Sequence, residues 1–423
     1  MKEKGNLISG IDIVNVNRIR KILSEKRNRF YDKIFTEKEI EYIRNSGHKA
    51  TTVAGLFAAK EAISKVIGTG IGFVRWKDIE IVHDDNGKPY VNVAGNGNEI
   101  MRELCLDSIE LSISHEEDYA VAIAIGHVSD SKDSDSINIE EAFRTLLPKR
   151  KLDSHKGTYG RVGIIGGSKG MTGAPYLASQ AALKTGSGLV YTVVPNLLDP
   201  IMSIKLTESI VKSAEDNGKG HFTRDSLSDI LRIIEDKDVL GIGPGFGVDD
   251  ERLYIMEQIL INYNKPIVID ADALNCISTN PDILLHNKSI IITPHPGELA
   301  RLLGKSIEEI QENRIFYSKY ASEKYNIIVV LKGLNTIIAS PRGDLYVNTT
   351  GNPGMATGGS GDLLTGIIAS FVGQGLKLYD AARLGVYCHG LAGDLASLDK
   401  GEYGVIATDV LEEIPYSIKK IQG

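Results

Sequence analysis

Asp362 closes a glycine-rich run, GNPGMATGGSGD from Gly351, and stands at the head of the apolar stretch LLTGIIASFVGQG. Successive glycines let backbone N–H groups converge on an anion, and the start of the following helix adds the positive end of its dipole. A phosphate belongs at such a loop. A carboxylate placed there can take the proton of a hydroxyl as that hydroxyl attacks phosphorus, which is the general-base role in phosphoryl transfer. Taken alone, the motif leaves this role and simple capping of the helix evenly matched, because short motifs match often by chance.

Further segments carry polar or flexible groups to the ends of apolar runs. GIGPGFG, Gly241 to Gly247, is either a second loop for close approach of a ligand or a plain strand-to-helix turn. DADALN, from Asp270, ends a strand with two acids that either position Mg²⁺ or a hydroxyl-bearing substrate, or cap the next helix. TPHPGELARL sets His295 between two prolines, a rigid setting at a strand end. KGLNT, Lys332 to Thr336, offers a lysine that either neutralises phosphate or stays a solvated charge. Earlier in the chain, Asp12 in GIDIV and Glu61 in GLFAAKEAISKVIGTGIG are acids on a strand end and a helix. Such a pair can share one Mg²⁺ that bridges to a diphosphate. The competing reading pairs Glu61 with Lys65 at i,i+4, worth about 0.3–0.5 kcal/mol.

The elements that must position these groups fall into two textures. In the first, strand-like LISGIDIV leads into a helix near Asn15, Thr36 and Glu39 form a capping box for a second helix, and a third runs from Ala50 to Ile67. DIEIVH and PYVNVA flank Asn86-Gly87, a hairpin signal, and ELSIS with YAVAIAI adds two alternating strands, giving an α+β domain. HVSDSKDSDSIN, from His127 to Asn138, loses nearly all apolar residues and reads as a linker. We place domains at 1–128 and 137–423 with the linker at 129–136. In the second texture, apolar runs such as RVGIIGG, GLVYTVVP, DVLGIGPG, KPIVIDAD, KSIIITP and NIIVVLKG alternate with helical patterns. That is the pattern of a doubly wound α/β sheet, whose ligands sit at the carboxyl ends of its strands.

The bulk numbers agree with this division. A chain of 423 residues exceeds what one core usually organises. A net charge of −7 argues against a general nucleic-acid binder, and no run of about 18 apolar residues suggests a membrane span. Cys105, Cys276 and Cys388 lie far apart with no paired spacing, as expected of a reducing cytoplasm. The N-terminus reaches polar residues too soon for a signal peptide, so the expected location is cytoplasmic.

HKGTYGRVGIIGGSKGMTGAPYLASQAALKTGSGLV, GIGPGFG, DADALN, TPHPGELARL, VVLKGLNT and GNPGMATGGSGDLLTGIIA, in that order, resemble the ADP-dependent NAD(P)H-hydrate dehydratases of the ribokinase-like superfamily. The resemblance covers nearly everything from Ile137 to Gly423. It implies phosphorylation of the ring hydroxyl of hydrated NAD(P)H (NAD(P)HX) by ADP, then loss of phosphate to give NAD(P)H and AMP. On this resemblance Asp362 is the base and Gly361 lies beside the adenine nucleotide. Lys332, Gly333, Leu334, Asn335 and Thr336 hold the AMP portion, and Ala174, Gly245 and His295 contact the hydrated coenzyme.

GIDIVNVNRI, RFYDKIFTEKEIEYI, FAAKEAISKVIGTGIG, DIEIVHDDNGKPYV and LSISHEEDYAVAIAI resemble holo-acyl-carrier-protein synthase. That family moves 4′-phosphopantetheine from coenzyme A (CoA) to a serine of apo acyl carrier protein. The resemblance implies that Asp12 and Glu61 bind Mg²⁺ and that Lys65 steadies the pyrophosphate. It also implies that Arg18, Arg20 and Lys21 face the acidic carrier, and His115 falls on the motif's histidine without an assigned role. Members usually form trimers with active sites between subunits, so a homo-oligomer is expected. This chain carries Leu56 where many members have an arginine. The alternative reading is a ribokinase-like kinase of a stable small alcohol with a non-catalytic N-terminal oligomerisation domain.

Overall fold

A computed structural model of the protein describes residues 6–68, 74–84, 87–104, 106–128, 139–150 and 152–423. The linker expected at 129–136, most of the GTGIG loop, Asn86 and Cys105 lie outside them. The chain divides into two compact units, Met1–Ser136 and Ile137–Gly423.

The first unit begins with β1 (Asn6–Asn15), α1 (Val16–Ile34), α2 (Glu37–Asn45) and α3 (Ala50–Ile67). It continues with β2 (Ile79–His83), β3 (Pro89–Val93), α4 (Asn96–Glu103), β4 (Leu106–His115) and β5 (Tyr119–Val128). The Thr36–Glu39 capping box forms at the start of α2. Strands β1, β5 and β4 make an antiparallel sheet in that order, and β2 pairs with β3 separately. Helix α3 lies directly on the first sheet: a β-carbon on Gly10 would sit 2.2 Å from the Ala62 carbonyl oxygen. No larger residue fits there. Leu56 is only 2% exposed and belongs to this core.

The second unit starts with α5 (Ile139–Leu146), β6 (Arg161–Ile165), α6 (Gly173–Lys184), β7 (Leu189–Pro195), α7 (Asp199–Lys205) and β8 (Ile210–Ala214). Then come α8 (Ser226–Ile234), β9 (Val239–Ile242), α9 (Asp250–Asn262), β10 (Ile267–Ile269), α10 (Ala271–Ile277) and β11 (Ile290–Ile292). Next are α11 (Pro296–Leu303), α12 (Ile307–Glu312), α13 (Arg314–Tyr325), β12 (Ile328–Leu331), β13 (Ile337–Ala339) and β14 (Leu345–Val347). Three helices close the chain: α14 (Ser360–Gly373), α15 (Leu378–Lys400) and α16 (Ala407–Gln422).

The sheet has nine strands in the order β14-β13-β12-β11-β10-β9-β6-β7-β8, parallel from β12 to β8 with an antiparallel β13–β14 hairpin at one edge. Its central strands are buried along their whole length, which is why they read as unbroken apolar runs. Helix α14 is apolar on nearly every face and sits in the core against α6 and the sheet, where Thr365 approaches Gly241 of β9. Among the described residues no helix is long and apolar enough to cross a membrane.

Candidate active site

The carboxyl ends of β9, β10, β11 and β12 converge on the start of α14. Asp270 follows β10 at the N-cap position of α10 but makes no capping bond with its side chain. Its buried carboxylate instead accepts from Lys332 Nζ at 2.6 Å and from Thr365 Oγ1, one turn into α14, at 2.8 Å. Asp272 accepts from the Gly247 N–H at 2.9 Å and so fixes the end of the GIGPGFG loop. Both acids of DADALN therefore hold the scaffold of the site.

Lys332, just past β12, lies 3.8 Å from Glu298 as well and is 20% exposed. Burial works against its charge, but Asp270 and Glu298 outweigh that and hold the ammonium above its ordinary pKa. A β-carbon on Gly361 would sit 3.4 Å from Lys332 Nζ and 3.6 Å from Asp270 Oδ2, so this glycine borders the ion pair. Asp362 is the next residue. The helix is capped by Gly359 in a left-handed conformation, and the Asp362 carboxylate accepts no hydrogen bond among the described residues. It is not the cap. Burial pushes its pKa up to about 7, the Asp270 charge adds to that, and Lys332 opposes it. An uncommitted carboxylate poised near neutrality is what a general base requires.

His295 caps α11: its Nδ1 accepts from the Gly297 and Glu298 N–H groups at 3.0 and 3.3 Å, and Glu298 returns a bond to the His295 N–H. With Nδ1 committed as acceptor, the neutral ring carries its proton on Nε2, on a side chain 51% exposed. Burial and then Lys332 and Arg301 lower the His295 pKa, which keeps the ring neutral. Glu298 is driven by burial to about 7.

Gly245 and Ala174 meet on the other side. Gly245 has φ +63°, and a β-carbon there would fall 2.8 Å from the Met171 carbonyl oxygen and 3.5 Å from the Ala174 methyl. Ala174 opens α6, whose Leu177 abuts Gly359 of the glycine-rich loop. That loop is tied down by Asp394 of α15, which accepts from the Gly351 N–H at 3.0 Å and from Asn352 Nδ2 at 2.9 Å.

The loop Lys332–Thr336 is held from beneath by Arg314 at the start of α13. Its guanidinium donates to the carbonyls of Leu331 and Lys332 at 3.2 Å each and to that of Leu334. Gly333 at φ +133° and Asn335 at φ +53° form the bend, Thr336 Oγ1 donates to the Gly333 carbonyl, and Leu334 is 85% exposed. Sequence reasoning did not find Arg314, Thr365, Glu298 or the partly buried His389, whose Nε2 lies 3.3 Å from Ser360 Oγ. Only Glu298 left a local signal, its reciprocal spacing with His295 in HPGE.

In the first unit Lys65 Nζ donates to the Asp12 carboxylate at 2.9 Å and to the Ile11 carbonyl at 2.6 Å. Lys65 therefore does not pair with Glu61, which makes no ion pair among the described residues. Burial and then the nearby Asp12 charge raise the Glu61 pKa. Two carboxylates that repel one another across a partly buried gap are a fit for a divalent cation, which needs only one or two protein carboxylates when phosphates complete its shell. Arg18, Arg20 and Lys21 are exposed along α1, and His115 ends β4.

Comparison with known proteins divides the chain the same way. Residues 162–416 match the family model described as NAD(P)H-hydrate dehydratase, and residues 9–124 match that of the 4′-phosphopantetheinyl transferase superfamily. A bifunctional NAD(P)H-hydrate repair enzyme of Moorella thermoacetica is 46% identical over 281 residues, 66% of this chain and 53% of that protein. The ADP-dependent (S)-NAD(P)H-hydrate dehydratase of Neisseria meningitidis is 35% identical over 67% of this chain and 93% of its own length. Among solved structures, the ADP/ATP-dependent NAD(P)H-hydrate dehydratase of Bacillus subtilis, co-crystallised with ATP/Mg²⁺, matches with a TM-score of 0.58 and 29% identity, over 67% of this chain and 97% of its own. The chain spans about half the length of the bifunctional relatives it matches.

Proposed function

From the premise that the chain belongs to the NAD(P)H-hydrate dehydratase family, we propose that its second unit dehydrates NAD(P)HX to NAD(P)H at the expense of ADP. One observation carries the reading: Asp362, free of hydrogen bonds among the described residues and poised near neutrality, stands beside the Lys332–Asp270 pair at the mouth of a glycine-rich helix start. Asp362 takes the proton of the ring hydroxyl while the hydroxyl oxygen bonds to the β-phosphorus of ADP and AMP departs. Inorganic phosphate then leaves with the electron pair of the ester's carbon–oxygen bond, the ring nitrogen supplying electrons, and loss of a ring proton restores the double bond. Lys332 faces the developing phosphate charge, the loop to Thr336 seats AMP, and Ala174, Gly245 and the Nε2 proton of His295 orient the coenzyme. Incubation with ADP and hydrated NADH tests this through recovery of the near-ultraviolet absorbance of reduced nicotinamide. Accumulation of a phosphorylated product without that recovery supports the kinase alternative instead.

The first unit, on the same footing, transfers 4′-phosphopantetheine from CoA to an apo acyl carrier protein. Asp12 and Glu61 would hold Mg²⁺, which supplies neutralisation of the CoA diphosphate. Lys65 lies beside them, and the exposed cations of α1 offer a face to an acidic carrier. A homo-oligomer built on the outer face of the β1–β5–β4 sheet fits the apolar groups left in water there: Leu7, Ile11 and Ile13 are about 60% exposed, and Ile123 stands opposite Ile11. Transfer of labelled CoA to apo carrier protein, lost in Asp12→Ala, tests the activity. Absence of transfer in the wild type favours a scaffold. Soluble operation in the cytoplasm is part of the same proposal.

A further inference from the structure

Strands β11 and β12 have two ends, and the site above uses one. At their amino ends, beneath the turn of the β13–β14 hairpin, lies a cavity of about 490 Å³. Lys288, Arg342 and Lys377 all line it. None of the three forms an ion pair among the described residues. The one acid in the lining, Asp344, has its carboxylate engaged by Ser340 Oγ at 2.7 Å. Helix α15 starts at this wall, with Lys377 at its N-cap position and no side-chain cap, so the positive end of its dipole lies at the cavity. Asp380 in that turn is held by Arg383 at 2.8 Å. The floor is apolar, formed by Ile290, Ile328 and Leu378.

We propose that this cavity binds a small molecule bearing two or more phosphates, at a place separate from the Asp362 site. Three cations against one carboxylate leave the lining net positive, and a polyanion balances that charge while collecting charge-assisted hydrogen bonds. The volume lies within the range of small-molecule pockets, and the apolar floor takes a ring or chain attached to the phosphates. The two sites are distinct because β12 runs between them. Its four residues, from Ile328 at the cavity to Leu331 before Lys332, span roughly 10 Å at the usual rise per residue.

The test is calorimetric titration of the full chain with inorganic tripolyphosphate, in the wild type and in the triple variant Lys288→Gln/Arg342→Gln/Lys377→Gln. All three side chains are exposed, so the variant folds, and ADP affinity at the glycine-rich loop, measured beside it, stays within about twofold because the sites share no cation. The expected result is loss of one binding equivalent or a weakening of roughly tenfold or more, as befits lost charge-assisted bonds. Arg342→Gln alone gives a smaller loss in the same direction. Equal stoichiometry and affinity in wild type and triple variant overturn the proposal, as does orthophosphate binding the cavity as tightly as tripolyphosphate. If ATP loses an equivalent in the triple variant, a nucleotide is the supported occupant; if only tripolyphosphate does, an inorganic polyphosphate is.

Discussion

Lys332 and Lys65 each pair with an aspartate carried on or just after a strand, Lys332 with Asp270 at 2.6 Å and Lys65 with Asp12 at 2.9 Å. The surroundings differ. Asp270 is 1% exposed and Lys332 20%, whereas Asp12 and Lys65 are 21% and 48% exposed. In the second unit the charges act through a poorly screened interior, so Asp270 and burial together bring Asp362 to about 7. In the first unit water screens the pair, and Lys65 remains free to turn toward a ligand. On the proposed functions, the same residue types stand beside a tuned proton acceptor in one unit and serve as a movable counter-charge in the other.

Asp362→Asn breaks the comparison at its strongest point. Dehydration falls by roughly 10²–10⁴-fold, the usual contribution of a positioned base, while ADP binding and phosphopantetheine transfer persist. In the wild type, dehydratase kcat/KM climbs as pH rises through about 7 and Asp362 loses its proton, and in the variant that limb disappears. Stability moves the other way. An acid whose folded pKa is raised binds more protons folded than unfolded, so its contribution is lost as pH rises from the ordinary carboxylate range to about 7. Glu298 carries the same sign. Above neutrality Asp362→Asn is therefore more stable to unfolding than the wild type, by roughly 1–3 kcal/mol after allowance for partial exposure, and denaturant titration reads it. A variant that retains dehydration would remove the base assignment.

The first unit does contain one fully buried pair, whose lysine precedes Glu61 in α3. Lys60 and Glu39 meet at 2.8 Å with neither side chain exposed. Lys60 also donates to the carbonyls of Trp76 and Ile79, and Glu39 accepts from the Thr36 and Ile81 N–H groups. Every polar atom is matched, so the pair fastens α2 and α3 to β2. Lys60→Met strands the Glu39 charge and destabilises this unit by about 3–5 kcal/mol, and Lys60→Met/Glu39→Leu recovers much of the loss. Denaturant unfolding of the full chain, followed at Trp76, reads both.

How much of this the sequence disclosed depended on distance along the chain. The span of α3, the Thr36–Glu39 box and the β2–β3 pairing were legible because each depends on neighbours a few residues apart. The parallel strands were legible because burial on both faces leaves an unbroken apolar signature. Strand β8 was not, for it lies at the sheet edge with mixed burial, and neither was the short β13–β14 hairpin. At the site, motif order pointed to Asp362, Asp270 and Lys332, yet the contacts through which they tune one another stayed hidden. Asp270 meets Lys332 across 62 residues and Thr365 across 95, and Arg314 reaches back-to-front into a loop 17 to 20 residues on. Nothing local in the sequence of Arg314 marks it as a clamp.

The smallest effect separates the two lysines most directly. Lys65→Gln removes a half-exposed partner from Asp12, and a surface pair of this kind contributes about 0–1 kcal/mol, so the melting of the first unit barely shifts. Lys332→Gln, by contrast, leaves Asp270 nearly buried with only Thr365 to answer its charge, and the second unit loses several-fold more. Function runs in parallel for a different reason. Lys65→Gln raises the KM for CoA with little change in stability, because the ammonium is spent on a screened aspartate until a diphosphate arrives. If Lys65→Gln destabilises the fold as much as Lys332→Gln, then exposure does not set the division of labour between the two pairs, and the movable counter-charge proposed for Lys65 fails with it.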